Sequence, residues 1–221
     1  FGIVGDNGIS GKTEHMRIDS SGTVGIGVTP SNWGTSSDFR GLQIGTGGVL
    51  YGRGSGDGGK VGLLANIFRD NGADRFEYIT SSYGSAYQQN DGAHYFDTAV
   101  SGTANAAVTL VRQMTIESGG NVGIGTSAPG TSKLKVYNST VSGNTRLHIH
   151  NDKSGDAAEL RLEGKRTSSN DTGQLLFANN GSVVARIDAV SAGDDGALRF
   201  FTSATGTGDS VVQAMSISTA G

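Results

Sequence analysis

Apolar and polar residues alternate with period two over much of the chain. The runs KLKVY (133–137), RLHIHN (146–151), ELRLEG (159–164), QLLFAN (174–179) and VVARIDA (183–189) each gather side chains of one character on one face. That is the signature of a strand with one side covered. Turn signals separate such runs: Asp70-Asn71-Gly72, Asn90-Asp91-Gly92, Asn180-Gly181 and Asp195-Gly196. No stretch of helical length carries a helical period with caps. The pattern predicts strands and turns almost throughout.

One kind of run is unusual. "GTVGIGVTP" (22–30) sets Val24, Ile26 and Val28 on one face and Gly25 and Gly27 on the other. "GNVGIGTSAP" (120–129) repeats this with Val122 and Ile124 opposite Gly123 and Gly125. Glycine weakens a strand interior, so a strand that is half glycine needs a reason. Close approach of another backbone, where a Cβ would clash, is one; a flexible surface hairpin is the plainer one. Recurrence of the whole motif favours the first, with other copies of the chain closing on the glycine side and the Val/Ile stripes buried between chains.

The recurrence organises the sequence. "MRIDSSGTVGIG" from Met16 aligns with "MTIESGGNVGIG" from Met114, and a third copy, "MSISTAG", begins at Met215. The copies start 98 and 101 residues apart, and "DGAHYFDTAVSGT" (91–103) resembles "DGALRFFTSATGT" (195–207). The chain therefore reads as the end of one unit (1–15), unit A (16–113), unit B (114–214) and the start of another (215–221), as in a longer array. Such units are far longer than one turn of a β-solenoid, which spans a few tens of residues.

Composition sharpens this picture. Glycine makes up 37 of 221 residues, and Leu, Ile, Val and Phe together only 48, close to the lower bound for an ordered chain. Net charge is only −3, so self-repulsion does not oppose folding, and the chain reads as ordered but short of core. Chains of that kind complete their core against a partner subunit. The scattered Lys and Arg form no polybasic face for nucleic acid, and no apolar run approaches a membrane span. With no cysteine, disulfides and thiolate sites are excluded.

The run M-x-I-[DE]-S-x-G-x-V-G-I-G-x-x-x-P followed by K-L-x-V resembles a motif of tail fibres and related host-attachment fibres of tailed bacteriophages, and of fibre stretches that precede a self-cleaving intramolecular chaperone domain. The match runs from Met114 through Lys133-Leu134-Lys135-Val136; unit A keeps the motif but has GLQIG (41–45) in place of K-L-x-V. The resemblance implies an all-β, intertwined homotrimeric fibre with small β heads. It implies a structural protein of the virion, extracellular, joined to other tail or fibre proteins and contributing to recognition of a host receptor, either a glycan or an outer-surface protein. No catalytic residues carry over. A polysaccharide-degrading tailspike and a bacterial adhesin stalk are the alternatives.

Candidate chemistry is sparse. "GSGDGGKV" (54–61) comes within one residue of a phosphate-binding loop, but Val61 stands where Ser or Thr is needed and no helix pattern follows. His148 and His150 share one strand face, and in a threefold assembly three such pairs would supply six nitrogens for an axial metal. The plainer expectation is that Leu147 and Ile149 face inward and both imidazoles face water, with no metal and no cofactor. Tyr83 and Tyr87, set among Ser, Gly and Gln, have the composition of adaptable contact loops and are the candidates for receptor contact; packing is the alternative. Asp194 and Asp195 fall in a turn signal, where acidic residues have backbone reasons to be, and no nucleophile, metal-protease or calcium-loop motif is present. The sequence thus predicts no enzyme.

Overall fold

The computed structural model describes residues 2–5, 13–33, 39–54, 59–70, 75–138, 144–155, 157–163, 170–179, 182–192, 195–203 and 211–218. These hold strands, bridges and turns and no helix. The chain forms two compact units, residues 1–146 and 147–221. The division falls inside the second sequence repeat rather than at its start at Met114.

The first unit contains β1 (Gly2–Gly5), β2 (Thr13–Ile18), β3 (Val24–Ile26), β4 (Phe39–Ile44), β5 (Gly48–Arg53) and β6 (Lys60–Ala65). It continues with β7 (Ile67–Arg69), β8 (Phe76–Tyr78), β9 (Ser82–Asn90), β10 (Ala93–Gly102), β11 (Val111–Ile116), β12 (Val122–Ile124) and β13 (Leu134–Val136). Eleven of these make one sheet in chain order, with β7 and β8 standing apart as a separate ribbon. Pairing is antiparallel except for β3–β4 and β12–β13, which are parallel. Asp91 and Gly92 both take positive φ (52° and 74°) in the two-residue turn joining β9 to β10, as the Asn-Asp-Gly signal requires.

One face of the sheet is covered. The β7–β8 ribbon lays Ile67, Phe68 and Tyr78 on it, and Trp33, Phe39 and Tyr51 complete a buried aromatic cluster. Rings pack at an angle: Trp33 lies 6.1 Å from Phe68 edge-on, and Phe39 lies 5.5 Å from Tyr51. So many large rings fit because the sheet beneath them is pared down to glycine. A Cβ on Gly41 would sit 2.9 Å from the Trp33 ring, one on Gly84 2.7 Å from Ile67 Cγ2, and one on Gly62 or Gly102 inside the rings of Tyr51 or Tyr78. Glycine here creates depth for aromatic rings in a thin core.

The second unit contains a four-stranded antiparallel sheet: β14 (Asn170–Asn179), β15 (Ser182–Ala192), β16 (Asp195–Ser203) and β17 (Val211–Ser218). Two expectations need correction here. Asp195-Gly196 is not a turn: both residues lie in β16, opposite Ala192 and Ser191. The runs 146–151 and 159–163 alternate as strands do, yet neither joins a ladder among the described residues. Alternation specifies which side of an extended chain is apolar; it does not supply the strand that must hydrogen-bond alongside.

The glycine cradle gives a direct test. Gly62→Ala should destabilise the fold by about 1–3 kcal/mol through displacement of Tyr51, whereas Gly47→Ala, with open space around it, should change stability by less than about 0.5 kcal/mol in urea unfolding.

Candidate functional site

The other face of the eleven-stranded sheet has no cover among the described residues. Strand register turns its apolar positions into a continuous row. Ile18 pairs with Val24, Val24 with Leu42, Leu42 with Leu50, and Leu50 with Leu63. The row continues from Leu63 to Tyr87, Phe96, Met114, Ile124 and Val136. Ten strands thus each place an apolar side chain shoulder to shoulder on one face. Beside it run Ile26 and Ile44 at one end and Ile116, Val122 and Leu134 at the other. Exposure is high for a packed sheet: Leu63 is 54% exposed, Leu50 42% and Ile124 42%.

The two motif copies supply the ends of this row by the same local device. Met16 pairs with Ile26 and Ile18 with Val24, as Met114 pairs with Ile124 and Ile116 with Val122. The turns match too: Gly22 N donates to Asp19 O and Gly120 N to Glu117 O, while Gly27 N donates to His15 O and Gly125 N to Gln113 O. Asp19 caps its turn with one carboxylate oxygen, accepting from Ser21 N (2.9 Å), Ser21 Oγ (2.7 Å) and Thr23 N (2.9 Å). Partial burial pushes the Asp19 carboxyl up, but these hydrogen bonds outweigh it and leave its pKa below the ordinary value.

The motif glycines have a different structural reason from the one expected. Gly25 and Gly123 point to the covered face, and the backbone that closes on each belongs to the same chain. A Cβ on Gly25 would meet Val28 O and lie 2.8 Å from Pro30 Cδ; one on Gly123 would lie 2.5 Å from Thr126 O. Gly27 and Gly125 are outside the strand, at φ of 65° and 72°, in the left-handed turn that folds the chain back. The apparent half-glycine strand is a three-residue strand followed by a tight reversal. The Val/Ile side follows expectation in being apolar and open: Val24 and Val122 are half-buried, Ile26 and Ile124 exposed.

The remaining candidates are dispersed. Tyr87 lies within the row, its ring 4.9 Å from Phe96 and its hydroxyl 2.7 Å from His94 Nδ1. Tyr83 sits four residues earlier, on the same side of β9, and is 72% exposed. His148 and His150 stack side by side, centroids 5.3 Å apart and planes 7° from parallel, and both are exposed. Among the described residues no cluster of three or more His, Cys, Asp or Glu could hold a metal. Residues 55–58 of the glycine-rich loop and Asp194 lie outside the described residues. The stretch after that loop, Lys60–Ala65, is strand β6 rather than a phosphate-facing helix.

The covered face holds a polar chain that single-strand reading does not reveal. Tyr51 donates its hydroxyl to Gln88 Oε1 (3.0 Å), Gln88 Nε2 donates to Asp97 Oδ2 (3.1 Å), and Arg112 Nε donates to Asp97 Oδ1 (3.0 Å). The Arg112 guanidinium also lies 3.7 Å over the Tyr95 ring. Each polar group along it has a partner, and these bonds tie β5, β9, β10 and β11 together. No known protein-family model matches the chain, and no curated protein matches it.

Two outcomes follow. Gly25→Val should lower the stability of the individual chain by about 1–3 kcal/mol, measured at concentrations too low for association, because the clash is internal. Burial pushes the Tyr51 hydroxyl up to about 12. A raised folded-state pKa stabilises below the ordinary value and is lost above it. Stability should therefore fall as pH rises from about 10 to about 12, by roughly 2–3 kcal/mol, and Tyr51→Phe should remove that alkaline slope in thermal unfolding.

Proposed function

We propose that this chain is a structural segment of a bacteriophage tail or attachment fibre, in which three copies associate through the open faces of their sheets. The uncovered apolar row carries this reading. Nine exposed residues of that face (among them Ile18, Ile44, Leu50, Leu63 and Phe96) present on the order of 800 Å² of surface, the share one partner contributes to a standard interface. That exceeds the largest apolar patch of an ordinary monomer, about 300–600 Å².

Further support comes from the repeated motif, which resembles that of phage fibres, and from the way its two copies build matching ends of one row. The second unit carries a similar row, Leu175–Ile187–Phe200–Met215, across its four strands. Phe200 faces Met215 there as Phe96 faces Met114 in the first unit. A fibre segment needs such continuity: each unit offers the same kind of face to its neighbours, and contact with a host receptor is left to the end of β9 beyond the row, where Tyr83 lies.

Leu50→Lys combined with Leu63→Lys places two charges in the middle of the row without touching the covered core. This variant should unfold cooperatively but elute in size-exclusion chromatography with light scattering as a single chain, where the unsubstituted protein elutes as a trimer. Unchanged association of the double variant would overturn the assignment of this face.

A further inference from the structure

The runs 147–151 and 159–163 of the second unit are extended but join no ladder among the described residues. His148 and His150 stack on one side of the chain, and Arg161 pairs with Glu163 at 2.7 Å. Residues two apart share a side only when the backbone is extended. Leu147 (72% exposed) and Leu160 (62% exposed) consequently belong to the opposite, apolar sides of their two arms, with Ile149 and Leu162 beside them. The arms meet at a polar turn, where Lys153 N donates to Asn151 Oδ1 and Asn151 Nδ2 to Ala157 O. The second arm comes against β14 at Gly173, where an added Cβ would lie 3.2 Å from Leu162 O, but it forms no ladder there.

The first repeat shows what this part of the sequence does when its ladders are complete. After the parallel β3–β4 pair the chain makes β5 and β6, joined through residues 54–59 and bonded on both edges, to β4 and to β9. After the parallel β12–β13 pair it makes the arms 146–151 and 159–163, of similar length and alternation, and neither joins a ladder among the described residues. Extended backbone with free ladder groups and an apolar side binds by strand addition. The polar sides of the arms differ in charge: the first carries Arg146, His148 and His150, the second Glu159 and Glu163 with Arg161. A basic arm suits an acidic one, and identical copies supply both.

We propose that residues 147–163 are completed by a second copy of this chain, the first arm of one copy forming an antiparallel ladder with the second arm of the next. The apolar sides, Leu147 and Ile149 against Leu162 and Leu160, then lie together, and Arg146 meets Glu163. Such a contact is head-to-tail, so it closes only as a ring of copies. This rests on the reading that copies of the chain associate, and assigns a specific segment to that association.

Two measurements on the whole chain test it. In hydrogen exchange, amides of 147–151 and 159–163 should exchange at least about tenfold more slowly in the associated protein than in the same protein diluted to single chains. The chain has no cysteine, so mixing a Leu147→Cys chain with a Leu162→Cys chain should yield a mixed disulfide under mild oxidation. Associated protein with unprotected arm amides and no mixed disulfide would overturn this inference while leaving association through the first unit intact. Arm protection that persists in single chains would place the ladder within one copy and also overturn it. A chain that stays single at every concentration would overturn both.

Discussion

An eleven-stranded sheet presents two faces, and the β7–β8 ribbon with its aromatic neighbours reaches only one of them. Most other features follow from how that single cover is made. The chain is poor in aliphatic residues, so its core relies on a few large rings, and the rings fit only where the strands beneath them carry glycine. Trp33 over Gly41, Tyr51 over Gly62 and Tyr78 over Gly102 are three instances of one arrangement. The other face keeps its aliphatic side chains, and none of the described residues lies over them. Left open, a face of this size forfeits about 25 cal/mol for each Å² exposed to water.

Glycine consequently serves two separate purposes that look alike in the sequence. In the sheet interior it is a seat for aromatic rings. In the repeated motif it permits a reversal: Gly25 and Gly123 admit the returning backbone, and Gly27 and Gly125 adopt the left-handed conformation that starts it. Neither purpose calls for a second chain at the glycine itself. The surface available to a second chain is the Val/Ile side of the same strands, which the reversal leaves facing outward.

Much of the fold is legible in the sequence. Period-two alternation identifies β13, β14 and β15 in outline, and Asn90-Asp91-Gly92 marks a hairpin with the right geometry. The motif repeat is visible because Gly22 and Gly120, and Gly27 and Gly125, take the same positive-φ places in turns that depend on residue type. The row itself is not legible, since it is a property of register: Leu50, Leu63 and Phe96 become neighbours only once the strands are aligned. Trp33 is likewise silent in the sequence, a lone aromatic in a polar loop whose burial depends on a ribbon more than thirty residues away. The arms 146–151 and 159–163 show the converse case, a clear strand pattern that joins no ladder among the described residues.

Sedimentation equilibrium of the unsubstituted chain at low micromolar concentration tests the open-face account most directly. The account predicts a discrete species of three times the 22.6 kDa chain mass. A stable particle of one chain mass at that concentration, with cooperative unfolding and no tendency to associate, would contradict it.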